Sequence, residues 1–296
     1  MKIKQNFHFH SHHSCDSACA KMSDIIAEMK QMGIEEYCLT DHLHTRYSLS
    51  DIVSAKHDYL WFYPPENFHF GIEVSCMAMA ECERVAAGDY VAKGDEPIYG
   101  FRDMETFDGR MAIDLDEAII EELEIECVVA GIHWTLGYPQ DGKESMRDYA
   151  IRNYFEQALF LINHPLVDVF AHPWDALEIF AGDGIRHRDK DHIDRAAFWA
   201  IPDEYNQELA NVLLRTGKPA ELNLATLGDT TPEIRHYMLD MLAEWKTRGV
   251  KFTIGDDSHQ AHFSPEQYMK GEEYLTKWGF TEADLVIPLK RRLVKP

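Results

Sequence analysis

The chain has 296 residues, 45% of them hydrophobic, and a formal net charge of −22, which suits one large domain or two modest ones. The negative charge argues against nucleic acid as the main partner, because phosphate backbones require Lys and Arg. No stretch of about 18 apolar residues indicates a membrane span, no signal region precedes the first strand, and the six cysteines include no Cys-x-x-Cys pair, so we expect a cytoplasmic protein with reduced thiols.

Near the N-terminus, residues 7–10 read Phe-His-Phe-His. Side chains two positions apart on a strand share a face, so we predict that His8 and His10 point to one side and Phe7 and Phe9 to the other. Two imidazoles aimed at one point either repel each other's protons or share a metal ion.

Strand and helix patterns alternate along the rest of the chain. Further strands are predicted at residues 35–40, 68–74, 127–132, 167–171, 219–223 and 250–254. Helices are predicted at residues 23–33, 114–126, 146–163, 203–216 and 230–249, on the basis of caps at Ser23 and Thr231 and stops at Gly33, Gly217 and Gly249.

This alternation predicts parallel strands with right-handed crossovers. No Gly-x-Gly-x-x-Gly motif follows a strand, so a dinucleotide fold has no support. We predict an α/β fold, a distorted seven-stranded (βα)7 TIM-like barrel that spans 1–296 as a single domain. Residues 76–112, after the third strand, are predicted to be an insertion or lid, and residues 281–296 a short closing helix and coil.

Most predicted strands end in side chains that can bind metal. These residues are His8, His10, Asp41, His42, Glu73, His133, His172, Glu221, Asn223, Asp256, Asp257 and His259. The carboxyl ends of barrel strands converge on one face, so we predict that the residues meet in one metal-binding basin, although any single histidine among them could be structural. Histidine and carboxylate ligands suit Zn, Mn or Fe, and Glu73 is the natural bridge between ions.

Six motifs resemble, in order, those of the PHP (polymerase and histidinol phosphatase) family: HFHSHHSCD, LTDHL, GIEVS, GIHW, FAHPW and TIGDDSH. The resemblance implies a distorted (βα)7 barrel with two or three divalent ions. It implies one site from His8, His10, Glu73 and Asp257, a second from Glu73, His133 and His172, and a third from Asp16, His42 and His259. His12 and His13 match no ligand position, and Asp256 stands where the family commonly has Ser.

The resemblance implies hydrolysis of a small phosphoester, with histidinol phosphate as one possible substrate, by a metal-bound hydroxide. Asp16, Asp257 or His259 is expected to protonate the leaving group, and Arg102, Arg186 and Arg188 are candidates for binding phosphate. Two alternatives stay open. One is an amidohydrolase-type enzyme that cleaves a C–N or C–O bond, and the other is a non-catalytic metal-binding domain.

Overall fold

The structure is a computed structural model that describes residues 1–16, 18–89, 107–140, 142, 144–182 and 193–289. Three residues expected to bind phosphate, Arg102, Arg186 and Arg188, lie outside the described residues, as does the middle of the 76–112 segment. Among the described residues, no helix combines the length and apolar character needed to cross a membrane.

A parallel sheet forms the centre of the fold. Its strands are β1 (Gln5–Asn6), β2 (Glu36–Leu39), β3 (His42–Leu43), β4 (Phe68–Ser75), β7 (Cys127–Gly131), β8 (Val169–Phe170), β9 (Ala220–Asn223) and β10 (Phe252–Gly255). Seven of these follow the order β1-β2-β4-β7-β8-β9-β10, and β3 also pairs with β4. The predicted seven-stranded α/β architecture is therefore confirmed.

The two ends of the sheet meet, so that the sheet is nearly closed into a barrel. The backbone N–H of Phe7 donates to the Ile254 carbonyl at 2.7 Å, and Phe9 forms a parallel bridge with Ser258. Closure brings the residues after β1 beside those after β10, although about 250 positions separate them in the sequence.

Helices connect the strands. They are α1 (Met22–Met32), α2 (Leu49–Trp61), α3 (Met79–Ala86), α4 (Glu117–Glu122), α5 (Met146–Asn163), α6 (Leu177–Ala181), α7 (Asp203–Thr216), α8 (Leu224–Asp229), α9 (Pro232–Thr247) and α10 (Pro265–Lys277). Among the described residues, three short 3₁₀ helices cover Arg46–Ser48, Arg195–Ala200 and Glu282–Asp284. The last of them lies in the tail, where a short closing helix was predicted.

The capping signals were correct at most helix ends. The Thr231 side chain accepts from the backbone N–H of Ile234 at the start of α9, and Gly217 ends α7 in the left-handed region with φ of 66°, where glycine carries no steric cost. The prediction that Ser23 caps α1 was wrong, because the N-cap is Lys21 and makes no side-chain capping bond. The helices α2, α3, α6, α8 and α10 were not predicted at all.

The prediction that Phe7 and Phe9 share a face was also wrong. Phe7 packs inside the barrel with a small apolar cluster that includes Cys127 and Val169, whereas Phe9 packs in the main core outside it. Regular β1 ends at Asn6, and the backbone N–H groups of Asp256 and Asp257 both donate to the His8 carbonyl, at 3.1 and 2.8 Å. Two residues opposite one is the pattern of a bulge, which here lies at Asp256 and Asp257, after β10. Past Asn6 the chain of β1 is no longer regular strand, so the alternation expected there does not apply.

The chain leaves the barrel after β4 and returns at the same place. Strand β5 (Met77–Ala78) pairs antiparallel with β6 (Met111–Ala112), so the two described ends of the 76–112 segment lie side by side. This geometry fits an insertion after the third barrel strand. A role for it as a lid stays a prediction.

Candidate metal centre

The predicted ligands converge on one mouth of the barrel. At this mouth, the ligand atoms form three groups, and the atoms within each group lie within 4.8 Å of one another: His8, His10, Glu73 and Asp257; His10, Asp16, His42 and His259; and His42, Glu73 and His133. The ninth residue, His172, contacts the same carboxylate, with Nε2 at 3.0 Å from Glu73 Oε1. Parallel strands deliver all of these residues from their carboxyl ends.

Glu73 is the centre of the cluster. Its Oε1 atom lies 3.0 Å from Nε2 of both His133 and His172. Its Oε2 atom lies 3.0 Å from His8 Nε2 and 2.9 Å from His42 Nδ1. Each oxygen of this fully buried carboxylate therefore faces its own set of imidazoles, which is the arrangement of a bridging ligand.

A second carboxylate, Asp16, lies at the outer edge of the cluster. Its Oδ2 atom lies 3.1 Å from His42 Nε2 and contacts His259 Nε2. The sets implied by the resemblance and those that the geometry forms differ in two respects. His10 lies close to the Asp16 group as well as to Glu73, and His42 takes the place of His172 in the group with Glu73 and His133.

Several buried atoms of the cluster have no hydrogen-bond partner, and these suit a cation. Among the described residues, His8 Nε2, His42 Nδ1 and Glu73 Oε2 are buried and make no hydrogen bond. Glu73 Oε2 nevertheless lies 3.0 Å from His8 Nε2 and 2.9 Å from His42 Nδ1. Unpaired buried polar groups cost free energy, and lone pairs aimed at one point are what a divalent ion requires. The donor set of imidazoles and carboxylates fits Zn, Mn or Fe.

The electrostatics of the metal-free cluster are those of a dense ion network. Burial raises the pKa of Glu73, but the positive charges of His8, His42 and His133 outweigh it and hold that pKa well below its usual value. Burial lowers the pKa of His42, yet the charges of Glu73 and Asp16 bring it to about 10. His10 lies beside His42, and burial together with that like charge lowers its pKa to about 4.

Glu221 orients two of the proposed ligands. The sequence places Glu221 at the end of a predicted strand, but none of the three ligand sets implied by the resemblance includes it. Its Oε1 atom accepts from His8 Nδ1 at 2.8 Å, and its Oε2 atom accepts from the backbone N–H of His172 at 2.8 Å. A carboxylate on the far nitrogen of a histidine fixes the tautomer that binds metal through the other nitrogen.

Gly131 leaves the space that Glu73 and His172 occupy. A Cβ atom at this position would lie 2.6 Å from Glu73 Oε1 and 2.6 Å from His172 Nε2. These distances are too short for non-bonded atoms, so any larger residue would displace the carboxylate or the imidazole.

Ser75 links His133 to a histidine that sequence reasoning missed, His44. The Ser75 hydroxyl oxygen lies 2.6 Å from His44 Nδ1 and 2.7 Å from His133 Nδ1. If His133 binds an ion through Nε2, its Nδ1–H donates to Ser75, and the hydroxyl hydrogen then donates to His44 Nδ1. This chain of bonds fixes both tautomers, and the His44 position in DHLH was its only sequence signal.

Asp256 does not join the cluster. Its carboxylate accepts from the Tyr268 hydroxyl at 2.9 Å and from the backbone N–H of Ser258 at 3.2 Å. Burial raises its pKa to about 7. The carboxylate that replaces the family's Ser therefore forms a hydrogen-bonded support on the core side of Asp257.

A pocket opens above the cluster. It is lined by Asp16, His42, His44, His133, Trp134, His172, Asp175, Asp257 and His259. A neighbouring groove shares Asp175, Asp257 and His259 and adds further carboxylates at Glu178 and Asp229. Within the part of the chain that the structure describes, neither lining contains a Lys or Arg.

Comparison with known proteins gives one family, and the similar solved structures include the two described next. The model of the PHP domain matches residues 6–212. Histidinol phosphate phosphatase from Lactococcus lactis subsp. lactis Il1403, solved with zinc, L-histidinol and phosphate, is 18% identical, with a TM-score of 0.59 and 98% of both chains covered. A putative histidinol phosphatase from Listeria monocytogenes is 12% identical, with a TM-score of 0.51, over 87% of this chain and 96% of its own. No curated protein matched the sequence. At these identities the two structures establish similarity of fold.

Proposed function

The chain belongs to the PHP family, and we propose that it is a metal-dependent phosphoesterase that hydrolyses a small phosphomonoester in the manner of a histidinol phosphatase. The observation that carries the proposal is the single buried carboxylate of Glu73, whose two oxygens face the ring nitrogens of four histidines at 2.9–3.0 Å. Burying these charged groups costs free energy, and a site without catalytic function would gain nothing that offsets this cost.

We propose two or three divalent ions, Zn, Mn or Fe, as the cofactor. His8, His10, Glu73 and Asp257 would hold one ion, Glu73, His133 and His172 a second, and Asp16, His42 and His259 a third. Such ions activate water for attack on phosphorus and neutralise the charge of the phosphoryl oxygens.

Three residues of the cluster face the substrate side. The side chains of Asp16, Asp257 and His259 are 13%, 18% and 36% exposed, whereas those of His8, His10 and Glu73 are at most 1% exposed. All three line the pocket. We therefore assign to them the catalytic contacts, including proton transfer to the leaving oxygen.

The phosphate requires positive charge at the pocket. The described lining supplies none from Lys or Arg, so the ions would carry most of that task. Arg102, Arg186 and Arg188 stay proposed as phosphate-binding residues. The net charge of −22 argues against a nucleic acid as the main partner and is compatible with a small phosphorylated substrate if bound divalent ions reverse the sign locally.

The test is phosphate release by untagged protein loaded separately with Zn, Mn or Fe. Substrates are an aryl phosphate monoester, an aryl phosphodiester and L-histidinol phosphate, with an acyl amide to detect amidohydrolase chemistry. We expect the monoesters to be hydrolysed and a His10→Ala variant to lose at least about 100-fold in rate. His262→Gln is the control, since His262 pairs only with the surface residue Glu28 in the described chain, at 2.7 Å.

Turnover of the amide alone would assign the site to the amidohydrolase class. Tight metal binding without turnover of any substrate would indicate a non-catalytic metal-binding domain. Either result would overturn the phosphoesterase proposal.

A further inference from the structure

We propose that His12, His13 and Asp58 form a separate binding site for a transition-metal ion of the Zn²⁺ type, at the surface between the loop after β1 and helix α2. One ligand atom from each of these residues lies within 4.8 Å of the other two. None of the three belongs to the groups around Glu73, and the PHP motifs give them no role.

The geometry of His12 is that of a ligand held in the binding tautomer. Its Nδ1 atom lies 3.3 Å from the Ala20 carbonyl oxygen, and only an N–H can satisfy that contact. The lone pair is therefore on Nε2, which lies 3.8 Å from Asp58 Oδ2. That distance is too long for a hydrogen bond but is close to the separation of two ligands on one ion. A backbone carbonyl on the far nitrogen is the usual support of a metal-bound histidine.

His13 completes the set from the next position along the chain. Its Nε2 atom lies 2.8 Å from the same oxygen, Asp58 Oδ2, and the two imidazole centroids are 4.1 Å apart. Asp58 thus presents one carboxylate oxygen to two imidazoles, as Glu73 does in the main centre. Two nitrogens and an oxygen leave a position open for water, a set that suits Zn²⁺.

The backbone that carries the two histidines is fixed before any ion binds. The N–H of His12 donates to the Ala20 carbonyl at 2.8 Å, and the N–H of His13 donates to the Ser11 hydroxyl oxygen at 3.2 Å. The Ser11 hydroxyl in turn donates to Asp41 at 2.6 Å. Preorganised ligands lose little conformational entropy on binding.

The surroundings favour a cation and allow it to enter. The side chains of His12, His13 and Asp58 are 39%, 20% and 38% exposed, so an ion reaches the site from solvent without opening the fold. Asp51 lies two turns before Asp58 on α2. Burial raises the pKa of Asp51, and the charge of His13 opposes that rise. A second carboxylate therefore adds negative potential at this surface.

Binding here would join α2 to the loop that also carries Asp16. The site is nonetheless separate from the centre at Glu73, and its existence does not depend on phosphoesterase activity. A simpler role for these residues is a hydrogen bond between His13 and Asp58 that holds the loop on the helix. His12 distinguishes metal binding from this structural role, because an ion would use its Nε2 atom as a ligand, whereas the hydrogen bond between His13 and Asp58 does not involve it.

The test is the number of zinc ions bound per chain, measured by equilibrium dialysis and elemental analysis of untagged protein stripped with a chelator. The variants are His12→Gln and Asp58→Asn, and His262→Gln is the matched control. Folding is checked by the far-UV circular dichroism of each stripped protein, so that a lost ion is not mistaken for a lost fold.

We expect wild type and the control to bind one more zinc ion than His12→Gln and Asp58→Asn, which keep the ions of the main centre. Equal zinc content in wild type and both variants would overturn the proposal. Loss in Asp58→Asn with full retention in His12→Gln would also overturn it, since His12 would then not be a ligand of that ion. Failure of the phosphoesterase assay would not affect this comparison of ion counts.

Discussion

Glu73 Oε1 lies 3.0 Å from His172 Nε2, although the two residues are 99 positions apart in the chain. The contact forms because β4 and β8 both pair with β7, so that their carboxyl ends open on the same side. Both residues are fully buried or nearly so, at 0% and 2% exposure. The proposed metal binding therefore depends on the carboxylate charge of Glu73, which the barrel encloses.

Replacing that charge should abolish the centre. Glu73→Gln keeps the shape of the side chain but removes the carboxylate that faces four imidazoles. We expect metal affinity and phosphate release to fall at least about 100-fold, because bridged ions lose their shared ligand. Elemental analysis after dialysis measures metal binding, and a phosphate-release assay measures the rate of hydrolysis. Glu28→Gln, which changes a carboxylate paired with surface His262 at 2.7 Å, should behave as wild type; an unchanged ion count in Glu73→Gln would refute the bridging role.

The space at Gly131 gives a second prediction. Gly131→Ala places a methyl group 2.6 Å from Glu73 Oε1 and from His172 Nε2, and we expect a loss of about 1–3 kcal/mol in the free energy of unfolding together with weaker metal binding. Denaturant unfolding and zinc titration measure the two effects. Gly228→Ala is the matched control, since a Cβ there meets nothing within 4 Å and alanine favours helix α8. Equal behaviour of the two variants would contradict the account.

The hydroxyl of Ser75 gives a third prediction. Ser75→Ala removes the link between His44 Nδ1 and His133 Nδ1 while the fold stays intact. We expect a loss of about 10–100-fold in metal affinity or in the rate of hydrolysis, the range found when partners of metal ligands are removed. Ser54→Ala, which deletes an exposed helix hydroxyl bonded to the Ser50 carbonyl at 2.9 Å, serves as control. Wild-type affinity and rate in Ser75→Ala would show that the tautomers need no such link.

Metal uptake should release protons. Burial lowers the pKa values of His42 and His172, but the carboxylates of Glu73 and its neighbours outweigh it and bring them to about 10 and about 9. Both rings thus hold protons at pH 7 when no ion is bound, and a ligating nitrogen must lose its proton. Affinity for zinc is therefore expected to rise as the pH increases from 6 to 9.

Calorimetric titration of zinc at pH 7, in two buffers of different ionisation enthalpy, measures this release directly. The observed heat should differ between the buffers by an amount that corresponds to more than one proton lost per chain. Identical heats in the two buffers would show that His42 and His172 are already neutral before the ion binds.

The barrel and the convergence of most candidate ligands were predictable because both follow local rules. Buried strands alternate with helices, and the residues after most strand ends carry side chains that can bind metal, so that topology alone predicts their convergence. Glu73, His133 and His172 needed no long-range information beyond strand order. The C-cap at Gly217 and the N-cap at Thr231 are likewise local, and both were found from the sequence.

Other features depend on packing that the sequence does not display. Phe7 and Phe9 pack in different clusters because regular β1 ends at Asn6, where the chain closes against β10, and strand periodicity cannot anticipate that change. Asp256 was expected beside Asp257, yet its contact with Tyr268 on α10 turns it toward the core, and α10 itself was missed. His44 was not selected from the sequence, because its role depends on Ser75, whose hydroxyl contacts both His44 and His133.

The most direct test of the central claim is anomalous diffraction from crystals of the zinc-loaded protein, recorded on both sides of the zinc absorption edge. The account predicts at least two zinc peaks within about 2.0–2.3 Å of ring nitrogens among His8, His10, His133 and His172, with the two Glu73 oxygens ligating different ions. Crystals that bind zinc yet show no peak within about 3 Å of Glu73 would contradict it.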